Sequence, residues 1–193
     1  MKLALTAAAA VLAAAGLPSA MAPAQAVERA FQKGGHVRLE LRAAEYRIAG
    51  SPGDKVRVSW YSNKPEIAER VRVDVNVRGN EATVRTSGPG HGNLRFEIDL
   101  PDRCDLDVDL SAGDISVRGI EGSKTLDMWA GDATIDVGRA DLYRHVEASV
   151  RFGDISAPPF NVSKEGIFRS FTWTGAGKYT VKAHLFAGDL KLR

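Results

Sequence analysis

A chain of 193 residues, 44% of them hydrophobic, is long enough to form one domain with a buried core. Its formal net charge of +2 excludes a general electrostatic attraction to nucleic acid, and we predict no nucleic-acid partner. The single cysteine, Cys104, excludes an internal disulfide bond and is expected to be a small buried residue.

The first 26 residues have the features of a secretory signal peptide. Lys2 precedes an apolar run at residues 3–17, and the small residues Ala24 and Ala26 stand where cleavage is expected. The run of about 15 apolar residues is shorter than the roughly 20 that a membrane-spanning helix needs. We therefore predict an exported protein, periplasmic or extracellular, with no transmembrane segment after residues 1–26 are removed.

The mature chain is predicted to consist of a lead-in at residues 27–35 and one domain at residues 36–193. Short segments in which apolar and polar residues alternate with period two predict half-buried strands. In chain order, the first of these strands lie at residues 37–41, 56–60, 71–77, 82–84 and 94–100. Turn residues separate the strands, and helical patterns are limited to short segments near residues 65–70 and 138–143. The predicted fold class is therefore all-β.

An eight-residue pattern, apolar-x-apolar-Gly-Asp-apolar-x-apolar, occurs four times in the second half of the chain; we call each copy a corner octet. The copies are LSAGDISV at residues 110–117, MWAGDATI at 128–135, VRFGDISA at 150–157 and LFAGDLKL at 185–192. The alternation changes parity at Gly-Asp, so the chain must turn there if both flanking segments keep their apolar side chains inward. Glycine supplies the positive φ of such a turn, and an aspartate carboxylate can accept a hydrogen bond from a backbone N–H two residues on. The predicted structural corners are Gly113, Asp114, Gly131, Asp132, Gly153, Asp154, Gly188 and Asp189.

Two weaker copies of the octet lie outside these four. Residues 41–48 have Ala44 and Glu45 at the corner position, and residues 174–181 have Gly177 and Lys178 there. Repeats with spacings of roughly 20 residues favour stacked supersecondary units that bury one another's faces. We therefore predict a single-domain β-solenoid, similar to a β-helix, with short irregular repeats. A β-sandwich is the alternative, because short alternating strands with frequent turns serve both architectures.

Several of these segments resemble a family of bacterial exported proteins. The segments are GDISV at residues 113–117, LRAAEYRIAG at 41–50, GNEATV at 79–84 and AGDLKL at 187–192. They resemble the cell-envelope proteins called "putative adhesins", a family otherwise of unknown function, over residues 36–193. The resemblance implies a right-handed fold of the β-solenoid type outside the cytoplasm, and its shared motif is structural rather than catalytic.

Acidic residues form one candidate site. Asp105, Asp107 and Asp109 alternate with apolar residues, so a strand here presents all three carboxylates on one face. One interpretation is a cation site, with calcium as the ion considered, or a general acid/base pair; the other is a solvated outer face. Calcium needs about six to eight oxygen ligands, and the calcium-binding repeat G-G-x-G-x-D is absent from the chain. We predict no cofactor.

Two aromatic residues form the other candidate site. Trp129 stands between Met128 and Ala130, and Phe186 occupies the matching position of the last corner octet. The alternation points both rings outward, where an aromatic face can cover the apolar face of a sugar. We predict Trp129 and Phe186 as ligand-binding residues; the alternative is that the rings pack under a loop or against an adjacent strand.

The lack of familiar catalytic motifs in the sequence favours binding over catalysis. The motifs H-E-x-x-H, G-x-S-x-G and S-x-x-K are absent. Our prediction is an exported, non-enzymatic binding or scaffolding module of the bacterial cell envelope, whose partner is an envelope protein or polysaccharide. One alternative is a carbohydrate-active β-helix enzyme that uses acids between Asp105 and Asp114. Another is a periplasmic sensory or regulatory domain with a membrane partner. The oligomeric state is left open.

Overall fold

A computed structural model describes residues 25–89 and 93–193, and the predicted signal peptide lies outside these ranges except for its last two residues. The first nine strands are β1 (Gln25–Ala30), β2 (His36–Leu41), β3 (Glu45–Ser51), β4 (Lys55–Tyr61), β5 (Arg72–Arg78), β6 (Glu81–Ser87), β7 (Arg95–Pro101), β8 (Asp105–Ala112) and β9 (Ile115–Arg118). The remaining strands are β10 (Lys124–Ala130), β11 (Ala133–Ile135), β12 (Tyr143–Phe152), β13 (Ile155–Ala157), β14 (Val162–Lys164), β15 (Ile167–Thr174), β16 (Tyr179–Ala187) and β17 (Leu190–Leu192).

Within residues 25–89 and 93–193, helical structure is limited to single turns. The helix α1 (Pro65–Ala68) and a 3₁₀ helix (Ala140–Leu142) lie in the two segments where the sequence predicts helical turns. A further 3₁₀ helix (Pro158–Phe160) begins at a pair of prolines and was not predicted. No helix in the described residues is long and apolar enough to cross a membrane.

The strands form two mixed sheets. The nine-stranded sheet has the order β1-β4-β7-β3-β9-β11-β17-β13-β14. The eight-stranded sheet has the order β15-β12-β16-β10-β8-β2-β6-β5. Parallel pairs dominate the centre of each sheet, and antiparallel pairs lie toward the edges.

Burial follows the period-two pattern. In β8, Leu106, Val108 and Leu110 are buried, and the residues between them face solvent to different extents. The inward side chains of both sheets form one continuous core, in which Tyr46 stacks on Phe96 with ring centroids 4.8 Å apart. The prediction of an all-β fold is confirmed, and two open sheets packed on a shared core fit the β-sandwich alternative.

The order of the strands differs from that of a regularly winding solenoid. Five pairs of consecutive strands stack in the same order in both sheets, namely β2/β3, β8/β9, β10/β11, β16/β17 and β12/β13. A solenoid would add each turn beside the preceding one, so β12/β13 would follow β10/β11 directly. Instead, the last pair, β16/β17, lies between them. A solenoid is therefore not shown, although the local stacking that the repeats predict is present.

Each corner octet carries the chain from the eight-stranded sheet to the nine-stranded sheet. Gly113, Gly131, Gly153 and Gly188 stand at these crossings, with φ values of 114°, 116°, 136° and 124°. The corners also stack closely: a Cβ atom at Gly131 would lie 2.0 Å from the carbonyl oxygen of Gly113. Only glycine satisfies both the backbone conformation and this spacing.

The two weaker copies of the octet have different outcomes. Ala44 lies between β2 and β3, so this copy makes the same crossing between the sheets. Gly177 and Lys178 lie instead between β15 and β16, two strands of the same sheet. The second copy is therefore a connection within the eight-stranded sheet rather than a corner.

Candidate binding surface

The corner aspartates form a ladder of hydrogen bonds. The Oδ1 atom of Asp114 accepts the backbone N–H of Asp132 at 3.4 Å, and that of Asp132 accepts the N–H of Asp189 at 3.0 Å. Asp189 in turn accepts the N–H of Asp154 at 2.9 Å, and Asp154 accepts the N–H of Gly166 at 2.9 Å. Three of the four carboxylates thus bind the neighbouring corner, and that of Asp154 binds the connection between β14 and β15; none of these bonds is to a residue two positions on. These bonds offset the repulsion between neighbouring carboxylates without a cation.

The three acids of β8 have separate environments. Asp105 accepts the backbone N–H of Ser123 at 2.7 Å, and Asp107 lies 3.0 Å from Nε2 of His36. Asp109 lines a groove on the outer face of the sheet. In the two described ranges, no three His, Cys, Asp or Glu side chains are grouped so that they could hold a metal ion. The cation site stays a prediction.

Trp129 and Phe186 come together on the outer face of the eight-stranded sheet. Their rings stack with centroids 4.1 Å apart and an interplanar angle of 3°. Arg151 lies over the ring of Phe186, at 5.4 Å from its centroid, and also over Phe168, at 5.7 Å. Phe152 meets Phe186 edge-on at 5.5 Å. We call these five side chains the aromatic surface.

Three of the four rings of the aromatic surface are strongly exposed, and Phe186 is half-buried. Trp129 is 62% exposed, Phe152 45% and Phe168 66%. Ile167, beside Phe168, is 57% exposed, and these four are the large hydrophobic side chains that stand exposed in the described part of the chain. Single exposed hydrophobic residues need no explanation, but a contiguous group of them typically marks an interaction surface.

A row of polar side chains runs beside the aromatic surface. Asp109, Asp127, His184, Ser149 and Ser170 lie in register on five adjacent strands, from β8 to β15. Nδ1 of His184 and Oγ of Ser149 are 2.8 Å apart and hydrogen-bonded. Together, the row and the aromatic surface, except for Phe152, line a groove with a volume of about 620 Å³. The groove therefore offers flat apolar faces next to hydrogen-bonding groups.

The corner octets explain why these residues align. Stacked corners hold the strands in register, so equivalent positions of each octet lie side by side. The position two residues before each corner glycine is occupied by Ser111, Trp129, Arg151 and Phe186. Sequence reasoning identified Trp129 and Phe186 but missed Arg151, although alignment of the octets would have found it. Phe168 lies outside the repeats, and no pattern in the sequence indicates it.

A buried lysine lies elsewhere, in the core. Lys124 is 2% exposed, and its Nζ donates hydrogen bonds to the hydroxyl of Tyr143 at 3.1 Å and to the carbonyl of Gly122 at 3.2 Å. Burial lowers the pKa of Lys124 to about 8. Cys104 is buried as well. Burial raises the pKa of its thiol to about 12, so the thiol is protonated at neutral pH.

Comparison with known proteins supports the fold and no more. No protein-family model matches the chain, and no curated protein does. A "putative cell adhesion protein" from Clostridium sporogenes is 13% identical and has a TM-score of 0.53 over 87% of this chain and 98% of its own. A "putative adhesin" from Bacteroides fragilis, 10% identical, covers 88% of this chain and 97% of its own, but its TM-score of 0.26 carries no argument. A protein of the kind that the sequence resembles thus shares this fold at low identity.

Proposed function

We propose that the protein is an exported module of the bacterial cell envelope that binds its partner through the aromatic surface. The observation that carries this proposal is the grouping of the exposed large hydrophobic side chains of the described chain in one patch, beside a groove lined by polar groups. A binding role is also consistent with the name of the Clostridium protein that shares the fold.

The stacked pair at the centre of the patch is suited to recognition. Trp129 and Phe186 hold each other in a fixed orientation, and Arg151 covers the face of Phe186 opposite Trp129. A ligand therefore meets rings that are already ordered, which reduces the conformational entropy lost on binding. The signal peptide that the sequence predicts at residues 1–26 supports a location in the periplasm or outside the cell.

Co-sedimentation with isolated cell-envelope fractions tests the proposal. The mature protein should bind saturably, and Trp129→Ala should weaken binding about 30-fold, as expected for a central aromatic residue that contributes about 2 kcal/mol. Tyr61→Ala is the matched control, because Tyr61 is a partly exposed aromatic residue at the end of β4 in the other sheet. A wild-type protein that stays in the supernatant at all concentrations would refute the proposal.

The carbohydrate-active enzyme is retained as a second candidate because two acids share the groove. Asp109 and Asp127 are paired in register on β8 and β10, and both line the groove beside Trp129. Two neighbouring carboxylates next to a sugar-binding face are the groups that glycosidic bond cleavage uses. Release of reducing ends from envelope polysaccharides, lost in both Asp109→Asn and Asp127→Asn, would favour this candidate; binding without release would exclude it.

A further inference from the structure

The groove at the aromatic surface continues across the sheet. A second groove of about 840 Å³ shares Asp109 and Ser111 with the first and extends over β2, β6 and β5. Arg42, directly after β2, and Arg72, on β5, line the second groove, and Phe168 and Arg169 line the opposite end of the first groove. The two grooves together form one trough that crosses the strands.

The length and direction of the trough indicate an extended ligand. From β15 to β5 there are seven strand spacings, or about 34 Å at about 4.8 Å for each spacing. The strands between them are paired on both sides, so their backbone groups are engaged within the sheet. A ligand that lies across these strands therefore meets side chains, whereas an added β-strand would lie along the free edge of β15 or β5.

The centre of the trough has groups that recognise sugars. Phe186 covers one face of Trp129, and no other ring or cation contacts Trp129 in the described residues. The other face of Trp129 is turned toward β8. Ser111 is the residue of β8 beside Trp129, because its neighbours Leu110 and Ala112 pair with Met128 and Ala130. Asp109 and Asp127 lie one row away, and ionised carboxylates accept hydrogen bonds from hydroxyl groups. A sugar ring stacked on Trp129 would place its hydroxyls near these acceptors.

Both halves of the trough carry guanidinium groups without acidic partners. Arg42 and Arg72 lie in one half, Arg151 and Arg169 lie in the other, and none of them forms an ion pair with a carboxylate in the described residues. The other two arginines of the trough differ, because both pair with Glu40. The guanidinium of Arg72 donates to the carbonyls of Glu69 and Val71, and that of Arg169 donates to the carbonyl of Glu165, so each keeps further N–H donors that can bind a carboxylate.

We propose that the trough binds a linear polysaccharide that carries carboxylate groups, lying across the strands. This inference rests on the proposed binding function and names its ligand class. Sugar rings stack on Trp129, hydroxyls bind Asp109 and Asp127, and carboxylates bind the arginines in the two halves of the trough.

Titration calorimetry with defined probes tests the ligand class. The mature protein is titrated with polygalacturonate oligomers, with uncharged glucan oligomers of equal length, and with anionic phospholipid vesicles. We expect polygalacturonate to bind at least tenfold more tightly than glucan, and added salt to reduce this difference. Trp129→Ala should weaken binding of both oligomers, and Arg42→Gln should weaken polygalacturonate binding about tenfold without changing glucan binding. Arg118→Gln, on the other sheet, is the control and should bind as the wild type does.

The outcomes separate this inference from the proposed function. Equal affinity for the two oligomers, or unchanged polygalacturonate affinity in Arg42→Gln, would overturn the claim that the ligand is anionic. Binding to vesicles or envelope fractions without binding to either oligomer would overturn the polysaccharide and leave the envelope-binding function standing. Loss of binding to envelope fractions as well would refute both.

Discussion

Replacement of Gly188 by alanine tests whether close stacking of the corners maintains the fold. Gly188 joins β16 to β17 with a φ of +124°, a conformation that residues with a Cβ atom rarely adopt. A Cβ atom at this position would lie 1.9 Å from the carbonyl oxygen and 2.6 Å from the carbonyl carbon of Gly131. Both atoms belong to the backbone of the neighbouring corner, so no rotation of a side chain can relieve the overlap.

The expected cost has two parts. The backbone strain costs about 1–3 kcal/mol, and separating two packed corners costs about 1–3 kcal/mol, as other overpacked substitutions do. The free energy of unfolding should therefore fall by about 4 kcal/mol. In a domain of this size, that loss lowers the melting temperature by about 8–16 °C. It is also a large fraction of the 5–15 kcal/mol that stabilises a typical domain.

Gly138→Ala is the matched control for this experiment. Gly138 has a φ of +61°, but a Cβ atom there would meet nothing within 4 Å. This variant carries only the strain of a left-handed residue, about 1 kcal/mol, or a decrease of about 2–4 °C. Thermal unfolding followed by circular dichroism compares the two variants. Equal decreases would refute the reasoning, because they would show that the contact between corners adds nothing to the strain.

Two further predictions concern Lys124 and the aspartate ladder. The pKa of Lys124 falls from 10.5 to about 8 on folding, so the unfolded chain binds more protons between these pH values and the free energy of unfolding rises with pH there. Between pH 8 and 9, the free energy of unfolding of the wild type, measured with urea, should rise by at most about 1.4 kcal/mol because of Lys124, and Lys124→Met should lack this rise. An equal rise in the variant would contradict this prediction. Asp132→Asn keeps an oxygen acceptor for the N–H of Asp189 and should change stability by less than about 0.5 kcal/mol, whereas Asp132→Ala should cost about 1–2 kcal/mol. Urea unfolding at pH 7 compares the two, and an equal loss would show that the charge matters rather than the hydrogen bond.

The strands and corners could be predicted from the sequence because both depend on local properties. Period-two alternation sets which side chains point inward, and a change of parity at Gly-Asp requires a turn. The order of the last strand pairs could not be predicted, because residues 150–157 and 185–192 carry the same pattern. The structure shows the reason: β14 and β15 pair antiparallel with β13 and β12 and occupy their outer side. The final pair, β16/β17, is left with the side that faces β10/β11.

The candidate site was predictable only in part for the same reason. The alternation indicates that Trp129 and Phe186 point outward, but not that β16 lies beside β10 and brings the rings into contact. The burial of Lys124 could also have been predicted, because this residue has the same parity as the inward residues Leu126 and Met128. A charged residue at an inward position is rare enough to predict a buried polar contact.

Comparison of the four corner octets distinguishes the positions that the fold restricts from a position that it leaves free to vary. At inward positions, the four corner octets carry only apolar side chains, and at the corners they carry only Gly-Asp, because packing and backbone conformation restrict both. The outward position two residues before the glycine is serine, tryptophan, arginine and phenylalanine in the four copies. The same fold requirement acts on all four copies, so it does not account for these differences. The stacked corners bring the four side chains into one line, and their different chemistry is what a surface needs to recognise a ligand with apolar, hydroxyl and anionic parts.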